Sequence, residues 1–508
     1  MRSYDGLRVY YGDLHSHCAV GYGHGSLEEA FANARQQLDF AAVTAHGHWP
    51  DMPDADERLA DLVAYHQEGF RVTREAWPRV RKVVEDNHQP GHFISFLAFE
   101  WHSSRYGDHN VYFKGSRGEV LPAPDLAALR EKLRALGEEG VEAMLLPHHI
   151  SYKQGYRGIN WAAFKTEFSP VVEIISMHGC AESPDAPYPY LHTMGPRDGR
   201  SIYQYGLAQG HLVGAVGSTD HHSAHPGSHG HGRMGVWSED LTRDAIWEAI
   251  QSRRTYALTG DNIAVQFALN GKRMGAVCPP AEERRIAVSV VGGGALDYVE
   301  ILHNNRLLKR VSPFDQHADR VEDPFHGPMK IELEMGWGEK GVEVDWEGEL
   351  EVAGGELLDV EPRFKGRDVV APRMEEDGDY AFSRWGREGN TIWFQTRTWG
   401  NPTTVTRGTQ ALSMTVQGAP STQLQGTLNG TPVRVSLGEL LKGPRAGYLG
   451  GFLTPAYAFH RAVPRREYAL DFDLEHSSEA ERRDWYYLRV RQRNGQWAWS
   501  SPIWVEGE

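Results

Sequence analysis

The segment GDLHSH, residues 12–17, places two histidines, His15 and His17, at the end of a short apolar run. Side chains of an extended strand alternate between its faces, so these imidazoles lie on the same side, roughly 7 Å apart along the chain. Two imidazoles on one face can bind a single metal ion. A histidine pair of this kind is also common with one ring in the core and the other in solvent, so the pair alone indicates metal binding only weakly.

Residues of metal-ligand type end five further apolar runs in the first half of the chain. Each run is short, as a buried strand is. The ends are His46 in AVTAH, Glu100 in LAFE, His148 and His149 in LLPHH, His178 in IISMH, and Asp220, His221 and His222 in STDHH. The C-terminal strand ends of a parallel barrel lie on one face, which carries the active site. We therefore expect these side chains to converge on one centre.

The donor types indicate which metals bind and what they do. Imidazole nitrogens and carboxylate oxygens without cysteine suit zinc, manganese or iron, and argue against a cysteine-zinc site or an iron-sulfur cluster. About nine ligands are too many for one ion, so we expect two or three divalent transition-metal ions. Such clusters acidify bound water and stabilise charge on the attacked group, which favours hydrolysis of an ester by a metal-bridging hydroxide.

The elements that must position these residues alternate between strand-like and helix-like segments. SLEEAFANARQQL has a capping box of Ser26 and Glu29 and helical spacing of its apolar residues, and the strand DFAAVTAH follows at once. This alternation predicts a parallel α/β sheet or barrel over residues 1–262. Short alternating runs and the Asn494-Gly495 hairpin signal predict an accessory β-sandwich region over residues 263–508.

Composition limits the partners and the compartment. A chain of 508 residues is expected to form two or three domains, and its formal net charge of -15 argues against a nucleic-acid partner. The sequence shows neither a signal peptide nor an apolar stretch long enough for a membrane, and its three scattered cysteines fit a reducing compartment. We therefore expect a cytoplasmic protein with a small-molecule ester substrate; the oligomeric state is left open.

The motifs GDLHSH, GHG, VTAH, FE, LPHH, MHG and STDHH, in this order, resemble the successive metal motifs of the PHP (polymerase and histidinol phosphatase) superfamily. Together with HNVYF, GRMGVW and WAWSSPIWV, they make the chain similar to a large PHP-like group that includes carbaryl (carbamate) hydrolase. The resemblance covers the first half of the chain. It implies a distorted (β/α)7 barrel with a trinuclear metal centre, ahead of the β-sandwich region.

The resemblance also implies a distribution of ligands among the ions. The first ion would be held by His15, His17, Glu100 and Asp220, the second by Glu100, His148 and His178, and the third by His24, His46 and His222. His149 is the alternative to His148, because a strand directs only one of two successive side chains to the centre. Two departures, Ala45 before His46 and His24 between two glycines, remove carboxylates that the superfamily pattern has at these positions.

Leaving-group assistance and charge stabilisation need residues beside the ions. The candidates are His109 in GDHNVYF and Arg233 in GHGRMGVW, with an ordinary surface or capping role as the alternative for each. No Gly-x-Ser-x-Gly elbow is present, so no side-chain nucleophile is expected. A phosphomonoesterase or phosphodiesterase is the first functional hypothesis, a carbamate, carboxylester or amide hydrolase the second, and a non-catalytic metal-binding scaffold the third.

Overall fold

A computed structural model describes residues 1–188, 194–317, 325, 327–367, 374–402, 407–479 and 483–506. Its first half begins with a 3-10 turn, Arg2–Tyr4, and then alternates strands with helices. These elements are β1 (Arg8–Asp13), α1 (Leu27–Gln37), β2 (Phe40–His48), α2 (Ala60–Asp86), β3 (Ile94–Trp101), β4 (His109–Phe113), α3 (Leu126–Glu138), β5 (Ala143–Pro147), β6 (Val171–Ser176), β7 (Gly179–Cys180), α4 (Tyr203–Ala208), β8 (Gly214–Gly217), β9 (Arg233–Ser238), α5 (Arg243–Gln251) and β10 (Thr255–Leu258).

Strands predominate among the elements of the second half. They begin with β11 (Ala264–Leu269), β12 (Lys272–Arg273), β13 (Val277–Cys278), β14 (Glu283–Val291), β15 (Leu296–His303), β16 (Arg306–Val311), α6 (Pro313–His317), β17 (Met329–Trp337), β18 (Glu343–Arg363), β19 (Arg384–Glu388) and β20 (Thr391–Trp399). They continue with β21 (Gln410–Leu428), β22 (Thr431–Ser436), α7 (Leu437–Leu440), β23 (Arg445–Tyr448), β24 (Pro455–Phe459), β25 (Val463–Pro464), α8 (Arg465–Tyr468), β26 (Ala469–Ser477), β27 (Asp484–Gln492), β28 (Trp497–Ser500) and β29 (Ile503–Val505).

A mixed sheet forms the centre of the first half. Strands β1, β2 and β3 are parallel neighbours, β4 and β5 add antiparallel strands at one edge, and β9 and β10 add antiparallel strands beyond β1. Strands β6 and β8 pair in parallel in a separate three-stranded sheet with β7. The fold is therefore mixed α/β, and the closed seven-stranded barrel stays a prediction.

Helix α1 covers one face of this sheet. The predicted capping box is confirmed, because the Ser26 hydroxyl accepts from the Glu29 amide and the Glu29 carboxylate accepts from the Ser26 amide. Its buried side chains include Leu27 and Phe31, which share an apolar core with Trp77 of α2. This packing fixes the loop before α1, which contains His24, against the sheet.

The last strands of the chain extend the sheet of the first half. Strand β28 pairs with β10, with Ala257 opposite Trp499, and β27, β29, β15 and β13 continue outward from it. The proposed division at residue 262 stays a prediction about folding units, but the hydrogen-bonded sheet itself crosses that position.

Two further sheets belong to the second half. A four-stranded sheet has the order β12-β11-β14-β26, and a nine-stranded sheet contains β17 to β25. The alternating exposed and buried residues of β14 and β18 explain the alternating sequence pattern, because one face of each strand packs in a core and the other faces solvent. Within the described ranges, no helix has both the length and the apolar character required to cross a bilayer.

Asp261 connects the loop that contains His229 to the second half of the chain. Its fully buried carboxylate accepts hydrogen bonds from Gln492 Nε2 at 2.7 Å, Asn494 Nδ2 at 2.8 Å and His229 Nε2 at 2.9 Å, and lies 3.1 Å from Arg363 Nη2. Arg363 is itself 2% exposed. Loss of the Asp261 carboxylate would therefore deprive three donors of their acceptor and remove one of the three carboxylates beside Arg363, the others being Glu332 and Glu361.

We predict that Asp261→Ala lowers the free energy of unfolding by about 3–5 kcal/mol, the usual cost of removing one partner from a buried ion pair. Urea denaturation followed by circular dichroism measures the change. The matched control is Asp297→Ala, which removes a half-exposed ion-pair partner of Arg491 and should cost about 1 kcal/mol or less. Equal losses for the two variants would contradict the role assigned to Asp261.

Candidate metal centre

Asp13, the last residue of β1, organises the segment that carries His15 and His17. Its fully buried carboxylate accepts from the His15 amide at 3.0 Å, the Thr219 hydroxyl at 2.5 Å and the Gly227 amide at 2.8 Å. Burial raises the pKa of Asp13 to about 6, although these hydrogen bonds favour the ionised form. Asp13 thereby ties the end of β1 to the loop that carries Asp220.

Asp220 gathers three imidazoles around one carboxylate. Its Oδ1 lies 3.2 Å from His15 Nε2 and 3.0 Å from His17 Nε2, and its Oδ2 lies 2.9 Å from His178 Nε2. The two nitrogens of His15 and His17 are 3.1 Å apart. Asp220 has a φ of 55°, a left-handed conformation that costs on the order of 1–3 kcal/mol and is found mainly where function requires it.

Glu100, near the end of β3, occupies a second buried position among histidines. Its Oε1 lies 3.0 Å from His148 Nε2 and 3.2 Å from His102 Nδ1. Its Oε2 lies 2.9 Å from His46 Nδ1 and 3.5 Å from His17 Nε2. Glu100 therefore faces His148 with one oxygen and His46 with the other.

Four groups of donor atoms overlap to make one continuous cluster. In each group, one ligand atom per residue lies within 4.8 Å of the others. The groups share His17, His46 and Glu100. They are His15, His17 and Asp220; His17, His46 and His222; His46, Glu100 and His102; and Glu100, Asp108, His148 and His149.

The cluster has the donor chemistry that divalent transition-metal ions require. Metal–nitrogen and metal–oxygen bonds of about 2.0–2.2 Å place neighbouring ligand atoms roughly 3 Å apart, and the donor separations around Asp220 and Glu100 match that value. His17 Nδ1, His46 Nε2, His148 Nδ1 and His149 Nδ1 are buried without a hydrogen-bond partner. These nitrogens face away from the carboxylates, whereas the opposite nitrogens of the same rings crowd against them. Buried carboxylates are costly unless cations lie among them, so these residues fit metal ions.

Burial keeps most of these imidazoles in the neutral form that binds metals. It lowers the pKa of His17, lowers the pKa of His46 and His149 well below the usual value, and lowers the pKa of His222 to about 3. His15 differs: burial lowers its pKa, but Asp220 and Glu173 outweigh burial and raise it to about 10. Metal binding at His15 Nε2 must therefore displace a proton.

Glu173, from β6, was not identified from the sequence. Its Oε2 lies 2.8 Å from His15 Nδ1, on the opposite side of the ring from Asp220. A carboxylate at this nitrogen fixes the ring orientation and increases the basicity of Nε2. Glu173 follows no motif, and its position beside His15 depends on the tertiary fold, which brings β6 of a separate sheet near the end of β1.

Both histidines of the LPHH motif contribute to the cluster. Strand β5 ends at Pro147, and His149 has a left-handed φ of 31°. His149 Nε2 lies 3.3 Å from Asp108 Oδ2, while His148 faces Glu100. The alternation argument for choosing one of the two does not apply, because neither residue is in extended strand.

His24 lies beside the cluster and joins none of its four groups. Its amide donates to the His222 carbonyl at 2.8 Å, and its Nδ1 lies 3.5 Å from Glu375 Oε2 of the second half. His178 contacts the cluster through Asp220, and its Nδ1 lies 2.7 Å from the Tyr152 hydroxyl. The assignment of these side chains to particular ions stays a prediction.

The two residues predicted to assist catalysis have their contacts elsewhere. His109 is buried in β4, where its Nδ1 lies 2.8 Å from the Gly107 carbonyl and burial lowers its pKa to about 3. Arg233 is fully buried and donates to the Gly227 carbonyl and to Gln37 Oε1. These contacts hold loops in place, and a catalytic role for either residue stays a prediction.

Arg157 brings a positive charge to the cluster. Its Nε donates to Asp108 Oδ2 at 2.7 Å. Its Nη2 donates to His102 Nδ1 at 2.8 Å and also lies 3.8 Å from Glu100 Oε1. Burial alone would lower the pKa of Arg157, but Asp108 and Glu100 raise it above its ordinary value. The sequence carries no signal for Arg157, which lies in an irregular segment with a φ of 69°.

Comparison with known proteins identifies distant similarities. A family model described as a protein of unknown function (DUF3604) matches residues 227–272. An uncharacterized protein of Chlamydia trachomatis serovar D is 26% identical over 173 residues, which cover 31% of this chain and 28% of that protein. An uncharacterized protein of Chlamydia pneumoniae is 22% identical over 271 residues, which cover 50% of this chain and 43% of that protein. The chain thus spans less than half the length of these curated relatives.

Among solved structures, the chain is similar to a two-domain protein from Bacteroides vulgatus that contains a predicted PHP-like metal-dependent phosphoesterase. The TM-score is 0.31 at 12% sequence identity, with 85% of this chain and 95% of the other chain covered.

We predict that His17→Ala lowers the metal content by at least one ion per chain, because His17 belongs to two of the four donor groups. Elemental analysis after reloading with Mn²⁺ or Zn²⁺ and gel filtration measures the content. The matched control is His211→Ala, which removes a histidine stacked on Trp161 at 5.3 Å, and should leave the metal content unchanged. Full metal content in His17→Ala would remove His17 from the ligand set.

Proposed function

We propose that the chain is a metal-dependent hydrolase whose substrate is a phosphoester. The continuous cluster of buried imidazoles and carboxylates supports metal-dependent hydrolysis, because this donor set suits Zn²⁺, Mn²⁺ or Fe²⁺. Bound divalent ions generate a nucleophile from water at neutral pH and stabilise the charge that develops on the attacked group. The residues that would hold them are drawn from the four donor groups and from His24 and His178 beside these groups.

The position of the Arg157 guanidinium beside the cluster favours a phosphoester over a neutral ester. Its Nη1 lies 3.0 Å from the Met194 sulfur, a weak acceptor. An anionic phosphoryl oxygen is a much stronger acceptor for a guanidinium, and it would replace the sulfur contact. Substrates without negative charge gain less from this group, which is why a carbamate or carboxylester is the second choice.

The chain's own residues around the cluster orient the ligands and exclude water. Tyr22 stacks on the His46 ring with centroids 3.5 Å apart, and Trp49 lies under the Arg157 guanidinium at 5.2 Å. Both aromatic side chains are buried. The side chain of His222 is 17% exposed, whereas those of the other donor-group members are at most 4% exposed, so we place substrate access on its side.

We predict that Arg157→Ala lowers turnover of an aryl phosphate by roughly 100-fold or more, the scale seen when one preorganised charge-stabilising donor is removed. Arg157→Lys should recover only part of this loss, because an ammonium lacks the guanidinium fork. Initial rates of the metal-loaded proteins, with metal content measured in parallel, provide the comparison.

The matched control for Arg157 is Arg105→Ala. Arg105 is exposed and stacks on Tyr106 at 5.3 Å, so its removal should leave turnover near that of the wild type. An Arg157→Ala protein with full metal content and normal turnover would exclude Arg157 from charge stabilisation.

The reaction class is tested with four substrates on the Mn²⁺- and Zn²⁺-loaded protein. We expect hydrolysis of p-nitrophenyl phosphate or bis(p-nitrophenyl) phosphate, and slower or no hydrolysis of p-nitrophenyl acetate and an aryl carbamate. Preference for the acetate or the carbamate would replace the phosphoester assignment with the second hypothesis. Full metal content without hydrolysis of any of the four would favour the metal-binding scaffold.

A further inference from the structure

Residues 374–385 of the second half, hereafter the strap, lie against the loops of the metal face. Asn33 Nδ2 of α1 donates to the Tyr380 carbonyl at 2.8 Å, and the Tyr380 amide donates to Glu29 Oε1 at 3.1 Å. Trp385 Nε1 donates to the Gln36 carbonyl at 2.7 Å. These contacts attach the strap along α1, next to the loop that contains His24.

Glu375 is the strap residue that reaches His24. The Gly25 amide donates to the Glu375 carbonyl at 2.8 Å, and the Glu375 carboxylate lies 3.5 Å from His24 Nδ1. Gly25 has a φ of 78°, and a Cβ there would lie 2.6 Å from Ala224 Cβ and 3.0 Å from Tyr380 Cγ. The close docking of the strap therefore requires glycine at position 25.

The histidines of the cluster show a common pairing with carboxylates from other segments. His15 pairs with Glu173 at 2.8 Å, and His149 pairs with Asp108 at 3.3 Å. A carboxylate beside a ligand histidine fixes the ring orientation and makes the other ring nitrogen bind a metal ion more strongly. His24 Nδ1 and the Glu375 carboxylate form a longer contact of the same kind, at 3.5 Å, in which the carboxylate comes from the second half of the chain.

We propose that Glu375 is a positioning residue that holds His24 as a metal ligand at the edge of the cluster. The proposal rests on the metal-dependent function proposed above and assigns part of the metal centre to the second half. Because the Glu375 side chain is 53% exposed, this position is at the rim of the cluster. The ion bound through His24 is therefore the one that exchanges most readily.

Binding of the ion at His24 and docking of the strap must then stabilise each other. If docking of the strap strengthens metal binding, metal binding strengthens docking by the same factor. Addition of Mn²⁺ should therefore slow hydrogen exchange of the Gly25 amide, which donates to the Glu375 carbonyl. This readout does not depend on turnover.

The direct test compares Glu375→Gln with Glu376→Gln by equilibrium dialysis against Mn²⁺. Glu376 lies on the same strap, is 45% exposed and pairs with Arg79 Nη1 at 2.7 Å instead of with His24. We expect Glu375→Gln to weaken the most weakly held ion by about 10–100-fold, the usual effect of losing the partner of a ligand histidine. Glu376→Gln should bind Mn²⁺ as the wild type does.

The variant His24→Ala and the double variant His24→Ala/Glu375→Gln complete a double-mutant cycle with Glu375→Gln. His24→Ala should lose the same ion, and the second substitution should add no further loss, because Glu375 acts through His24. Both glutamate side chains are about half exposed and glutamine has the same size, so the fold should be retained. Circular dichroism and thermal unfolding of each variant check this.

Two outcomes would overturn the proposal. Unchanged Mn²⁺ binding in Glu375→Gln would exclude a role for this carboxylate, and equal weakening in Glu376→Gln would assign the effect to docking of the strap as a whole. Failure of the proposed function itself is distinguishable, because it would show in the wild-type protein, either as no binding of Mn²⁺ or Zn²⁺ or as full metal content without hydrolysis, whatever residue is at position 375.

Discussion

Two carboxylates buried among histidines are the constraint on which the rest of this structure depends. Glu100 and Asp220 are 2% and 3% exposed, and buried anions are tolerated only when cations neutralise them. Burial lowers the pKa values of His17, His46 and His149 in this cluster, so these imidazoles supply no positive charge. Divalent ions are the natural counter-charge, and Arg157 adds a fixed one. The strained backbone of Asp220 and the buried carboxylate of Asp13 hold this arrangement in place.

The two halves of the chain are more closely connected than a catalytic domain with an appended domain. Strands β27 to β29 continue the sheet that contains β1 and β3 of the cluster, and Asp261 joins His229 to Arg363 in one buried network. The strap then brings Glu375 to His24. The second half therefore continues the sheet of the first half and also contacts the loop that contains His24 through the strap.

The convergence of the strand-end side chains could be predicted from the sequence, because short apolar runs fix where a strand ends and neighbouring parallel strands end on the same face; their role as ligands stays a prediction. Glu173, Asp108 and Arg157 were missed because their positions depend on tertiary packing or on irregular backbone, neither of which leaves a periodic signal. His109 and Arg233 were chosen for their place in loops, and their burial is likewise a tertiary property. The return of the last strands to the first sheet was not foreseen for the same reason. The long helix α2 was also missed, although its buried residues Phe70, Trp77 and Val84 follow helical spacing.

The central claim is that the buried cluster binds divalent metal ions. Anomalous diffraction from crystals of the metal-loaded protein, recorded at the manganese and zinc absorption edges, tests it most directly. The account predicts at least two anomalous peaks among the side chains of His15, His17, Glu100 and Asp220. Crystals grown at saturating Mn²⁺ or Zn²⁺ that show no anomalous peak within this cluster would contradict it.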